Sequence, residues 1–169
     1  MELTAAGFGD VVRSHQDMVY SIAWHYFRDR HQSEEIAQEV FLELHRNLAS
    51  IESDSHMAHW LRRVTAQRCI DQTRRLRLRP RSGLESAPEP SSPASHADPL
   101  LSSLLARLVD ALPDRARMAV ILRYQEDMDL GEIASAMNIP AGSVKSTLHR
   151  ALALLRGKLE RTTAGKGVR

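Results

Sequence analysis

Apolar residues recur every three or four positions along most of the chain. No stretch alternates apolar with polar as a strand would, so the pattern predicts an all-α protein. Val11, Val12, Val19, Ile22, Ala23, Tyr26 and Phe27 mark one face of a first helix. Ile36, Ala37, Val40, Phe41, Leu44 and Leu48 form a second stripe of nearly ideal period. Ser33 stands before it as the expected N-cap, with Glu34 and Glu35 in the first turn, where the helix dipole favours acids. A third helix is expected from about Ser55 to Leu78, with Met57, Trp60, Leu61, Val64 and Ile70 turned inward. The pattern resumes over Leu100–Leu112, packing through Leu101, Leu104, Leu105, Leu108 and Leu112. Pro113-Asp114 stops that helix and starts another, whose apolar surface is Ala119, Val120, Ile121 and Leu122. Two last helices, around Leu130–Met137 and Ala141–Leu159, are joined by Asn138-Ile139-Pro140.

The stretch Pro80–Pro99 breaks the pattern. It holds five prolines, five serines, three alanines and Gly83, with almost no apolar side chain to bury. Proline fixes φ and removes a donor, and serine adds nothing to a core, so this reads as a flexible linker. The expected organisation is a helical domain over 1–79, a linker over 80–99 and a second helical domain over 100–169. Each half is long enough for a three- or four-helix core.

The last two helices read as a helix-turn-helix. Ile133, Ala134 and Met137 face inward, Ile139 plugs the turn, and Asn138 stands where the chain must bend and a left-handed conformation is needed. In the final helix Val144, Leu148, Ala151, Leu152 and Leu155 face inward, which puts Lys145, Ser146, His149 and Arg150 on the other side. An α-helix fits the DNA major groove, where such side chains meet phosphates and base edges. The plainer alternative is a helical hairpin with a solvated basic face.

Charge supports the first of these. The chain has 23 basic and 21 acidic residues, net +2, unevenly spread. Residues 1–59 carry −6, 60–81 carry +7, 82–99 carry −3, 100–141 carry −2 and 142–169 carry +6. Two separated cationic segments, each closing its own helical unit, are the footprint of polyanion binding. The first is Arg62, Arg63, Arg68, Arg74, Arg75, Arg77, Arg79 and Arg81, which wrap much of a helix and suit one lying across phosphates. The acidic second helix would be repelled by DNA. Its outer face, Glu35, Gln38, Glu39 and Glu43, suits a protein partner or plain solvent.

Composition excludes other classes. With 169 residues, 43% hydrophobic and 26% charged, the chain is an ordinary globular one. No run approaches about 18 apolar residues, and Met1-Glu2-Leu3-Thr4 does not begin a secretory signal. The one cysteine, Cys69, leaves no internal disulfide framework, so a cytoplasmic location is expected. His56, His59 and Cys69 lack convergent metal-ligand spacing, and Cys69 reads as a small buried apolar residue. Trp60 could pack in the core or stack on a base. Asp127 and Asp129 read as caps. No phosphate loop, nucleophile elbow or catalytic cluster occurs, so no cofactor, no small-molecule substrate and no enzymatic activity are expected.

Ser33-Glu-Glu-Ile-Ala-Gln-Glu-Val-Phe41, with Trp60-Leu-Arg-Arg-Val-Thr-Ala-Gln-Arg-Cys-Ile-Asp71 and Arg74-Arg75, resembles the promoter-melting domain, region 2, of bacterial sigma factors. Leu112-Pro113 with Arg117, Gly131-Glu-Ile-Ala134, Ser143-Val-Lys-Ser146 and Arg150-Ala151 resemble the family's region 4. Two such domains and a linker are the layout of the extracytoplasmic-function, or group IV, sigma factors. The resemblance covers roughly 8–78 and 100–157. It implies that Glu35, Gln38 and Glu39 dock on core RNA polymerase. It also implies that the loop Ser50–Ser55 and Arg62, Arg63, Gln67, Arg74 and Arg75 engage the −10 promoter element, and that Ser143, Lys145, Ser146, His149 and Arg150 read the −35 element. An anti-sigma factor is an implied further partner. Glu35, Gln67 and Thr147 depart from the family's usual aspartate, asparagine and arginine. Promoter elements two helical turns apart are separated by about 70 Å. Domains roughly 25 Å across and a 20-residue linker reaching about 60 Å neither force nor forbid simultaneous binding. A stand-alone helix-turn-helix regulator is the alternative, although no extra dimerisation segment is evident.

Overall fold

The computed structural model describes residues 5–78 and 99–164, with side-chain surroundings for 7–78 and 102–162. The expected linker, 80–99, therefore falls outside the described residues except for Pro99, as do Arg79 and Arg81; the side chain of Leu101 does too. Among the described residues every regular element is helical, giving the all-α class that the periodicity predicted. The chain splits into two compact units, one built around the first three helices and one around the last four.

The first unit consists of α1 (Ala5–Phe27), α2 (Arg30–Asn47) and α3 (Asp54–Leu78), each packing on the other two. Val19, Ile22 and Ala23 of α1, Val40 and Leu44 of α2, and Leu61 of α3 are wholly buried. Trp60 is buried as well, so it belongs to the core and is not available for base stacking. The α1–α2 junction is abrupt. Arg28 adopts a left-handed backbone (φ 53°), and its N–H donates to the Trp24 carbonyl at 2.8 Å.

The cap of α2 differs from expectation. Asp29, not Ser33, is the N-cap: its backbone is extended and its Oδ1 accepts from the Gln32 N–H at 2.8 Å. Ser33 lies a turn inside the helix, buried, with its hydroxyl donating to the Asp29 carbonyl at 2.6 Å. Arg30, His31 and Gln32 are polar and half-buried or exposed, so the first helical turn carries no apolar periodicity to reveal it. The α2–α3 connection is also tighter than the expected Ser50–Ser55 loop. A short 3-10 turn covers Leu48–Ser50, and only Ile51–Ser53 separate it from α3. Ile51 is buried, and the Ser53 hydroxyl accepts from the His56 N–H at 3.2 Å, capping α3.

From Pro99 onward the chain forms α4 (Pro99–Asp110), α5 (Asp114–Tyr124), α6 (Leu130–Met137) and α7 (Ala141–Ala164). Six of the eleven residues of α5 are buried, Met118–Leu122 consecutively, so the middle of this helix is enclosed on every side while its charged residues lie towards the two ends. It packs on α4 and α7. Arg117 folds back to donate to the Asp110 and Leu112 carbonyls, placing a cation at the C-terminal end of α4. Two expected core residues are half outside: Leu105 is 51% and Leu152 40% exposed. Each lies at the edge of its apolar stripe, beyond the reach of the packed neighbours.

The α6–α7 turn is written into a short sequence. Asp129 and Glu132 form a reciprocal capping box, the Asp129 N–H donating to Glu132 Oε2 at 2.7 Å and the Glu132 N–H to Asp129 Oδ1 at 2.8 Å. At the other end of α6, Asn138 is left-handed (φ 52°). Its N–H donates to the Ser135 carbonyl at 3.3 Å and the Ile139 N–H to the Ala134 carbonyl at 3.0 Å, a Schellman closure. Pro140 then caps α7, its carbonyl accepting from Ser143 and Val144 at 2.9 and 3.2 Å. Replacing Asn138 with Ala should lower stability by about 1 kcal/mol, because a Cβ-bearing residue without a local polar side chain is strained there. Asn138→Gly should not lower it. Urea denaturation of the two variants checks this, and equal losses would show that the turn conformation is not the cause.

Candidate nucleic-acid and partner surfaces

On α7 the buried residues Val144, Leu148 and Ala151 define the inner side. Lys145, Ser146, His149 and Arg150 are all exposed, as the periodicity predicted, and Ser143, named by the resemblance, is exposed beside them. Two backbone contacts order this edge: the Ser146 hydroxyl donates to the Ser143 carbonyl at 3.1 Å, and Arg150 Nε to the Ser146 carbonyl at 3.2 Å. A hydroxyl, an imidazole, an ammonium and a guanidinium thus share one exposed edge of a helix that begins in a closed turn. That set of groups can donate to phosphates and to base acceptors.

The Arg-rich helix α3 is less uniform than its composition suggests. Arg62, Arg63 and Gln67 are half-buried, while Arg74, Arg75 and Arg77 are exposed on the last turns, past the final buried residue, Cys69. Arg68 does not join them. It forms a two-nitrogen ion pair with Glu43 Oε2 of α2, its Nε at 3.0 Å, with both side chains about one-third exposed or less. The hydrogen bond to Glu43, with smaller contributions from Glu39 and Asp71 and against some loss of hydration, holds the Arg68 guanidinium protonated more firmly than usual. Arg68 is therefore a brace between helices, and Glu43 is not a free member of the outer face of α2.

On that outer face Glu35 and Gln38 are exposed and Glu39 is half-buried. Glu34 is engaged with Arg30 across one turn at 2.8 Å. Sequence reasoning passed over Leu42, which is 58% exposed between Gln38 and Arg46. The signal was available: Leu42 is an apolar residue lying off the Ile36, Val40, Leu44 stripe.

Among the described residues no three His, Cys, Asp or Glu side chains cluster as metal ligands. His56 accepts at Nδ1 from the Glu52 N–H at 3.3 Å. Burial pushes the Cys69 thiol far above its usual range, so it stays protonated. No helix among the described residues is long and apolar enough to cross a membrane.

Residues 11–79 match the sigma-70 region 2 family, and residues 102–155 match sigma-70, region 4. The chain is 32% identical over 154 residues to the RNA polymerase sigma-E factor of Streptomyces coelicolor, covering 90% of this chain and 85% of that protein. It is 28% identical over 165 residues to the ECF RNA polymerase sigma factor SigW of Bacillus subtilis, covering 90% and 88%. The fold is similar to that of the sigma factor RpoE from Bartonella quintana, solved with the anti-sigma factor NepR, with a TM-score of 0.75 at 18% identity over 90% of this chain and 96% of that one. The chain belongs to the sigma-70 family of RNA polymerase sigma factors, in its extracytoplasmic-function group.

Because Arg68 already has its counter-charge, Arg68→Met should cost stability without changing the salt dependence of DNA binding. A double-mutant cycle with Glu43→Gln should return a coupling of about 1 kcal/mol. A fall in the salt slope for Arg68→Met would show that this guanidinium contacts phosphate after all.

Proposed function

We propose that this sigma factor acts through three surfaces. The α2 face with Glu35, Gln38 and Glu39 docks on core RNA polymerase. Arg62, Arg63, Gln67, Arg74 and Arg75 of α3, with the Ile51–Ser53 loop, hold the −10 element and its separated strands. Ser143, Lys145, Ser146, His149 and Arg150 of α7 read the −35 duplex. The single observation that carries this reading is the outward edge of α7, four groups able to contact DNA opposite a buried apolar seam and behind a locally closed turn. An α-helix so presented fits the major groove.

On this reading the protein contributes binding, positioning and strand separation, while phosphodiester chemistry belongs to the polymerase; the chain is not itself an enzyme and works in the cytoplasm. The two domains, 1–79 and 100–169, engage different promoter elements, with the segment 80–99 joining them. Control by an anti-sigma factor is supported by the solved sigma factor of similar fold, which was crystallised with one.

Run-off transcription with purified core polymerase tests the reading: promoter-dependent transcripts should require this protein. Lys145→Ala with Arg150→Ala should weaken upstream-duplex binding and reduce the salt slope by up to about 2. Unchanged affinity and slope would move the reading surface off α7. Charge reversal at Glu35 and Glu39 should lower holoenzyme assembly in a pull-down while upstream-duplex binding by the same variant is retained.

A further inference from the structure

The acids of α2 are mostly spoken for within the molecule. Glu34 pairs with Arg30, Glu43 pairs with Arg68, and the Glu39 charge also acts on Arg68. Glu35, Gln38 and Leu42 have no such commitment in the structure. They lie on one strip of helix surface, Leu42 two turns beyond Glu35 and one turn beyond Gln38, with exposed Arg46 one turn further on. Helices α1–α3 expose three large apolar side chains among their described residues, and the other two, Leu76 and Leu78, sit in the Arg-rich end of α3. Leu42 is thus the one such side chain on the body of the bundle, at the centre of a polar rim.

An apolar centre ringed by polar groups is the arrangement in which a few residues dominate an interface, because the rim excludes water from the anchor. We propose that Leu42 is the apolar anchor of the polymerase-docking face, seated in an apolar recess on core RNA polymerase, with Glu35 and Gln38 as its rim. This rests on the reading of α2 as the docking helix. Charge favours a protein occupant: the strip carries Glu35 at one end and Arg46 at the other, a mixed pair that suits a protein surface of complementary charges and gives a nucleic acid no cationic patch.

Binding of the full chain to purified core polymerase tests the anchor, using fluorescence anisotropy of a labelled chain. Leu42→Arg should weaken assembly at least tenfold and Leu42→Ala several-fold, while Leu42→Met should assemble like the parent. Because Leu42 is exposed, helicity and upstream-duplex binding should be the same in all three. Normal assembly of Leu42→Arg overturns the proposal, whether or not self-association of the free chain changes. Failure of the parent chain to assemble would remove the docking reading itself, a result distinct from normal assembly by the variant.

Discussion

A helix can offer a legible edge only when its opposite edge is held in place. In α7 that hold comes from Val144, Leu148 and Ala151, buried where the helix packs on α5. A helix of this kind is only marginally stable alone in water, so removal of the seam from solvent is what keeps its polar side in one orientation. The unbroken buried run Met118–Leu122 of α5 follows from the same need, since this helix packs against both α4 and α7. The Schellman turn then sets where α7 begins, which decides which side chains occupy its first turns.

Electrostatics in the first unit is divided between internal and external use. Arg68 and Glu43 satisfy each other across the α2–α3 seam, where each would otherwise lose hydration without compensation. The arginines of α3 that are exposed, Arg74, Arg75 and Arg77, lie at its far end, beyond its last buried residue. A surface assigned by counting basic residues along the sequence would merge these two roles. Three-dimensional pairing separates them.

Much of this was readable from spacing alone. The ends of α6, the start of α7 and the left-handed Asn138 follow from local chemistry, because each is decided by residues within a few positions of one another. The failures share a different origin. The Asp29 cap was hidden because the first turn of α2 is polar, and periodicity registers a helix only where it buries something. Leu105 and Leu152 fit their stripes, yet their exposure depends on how far the neighbouring helices extend. Arg68 looked like its fellow arginines because its partner is 25 residues away in sequence. The candidate edge of α7 was legible for the same reason as the turn before it, and Leu42 was legible as an apolar residue off its stripe, whereas the pairing of the neighbouring acids was not.

The thiol of Cys69 is fully enclosed and kept protonated, so an oxidant in solution meets no thiolate on the folded chain. Peroxide or a disulfide reagent could therefore reach this sulfur only when the packing around it opens. Cys69 thus serves the chain as a small packing residue at the seam of the bundle rather than as a surface thiol.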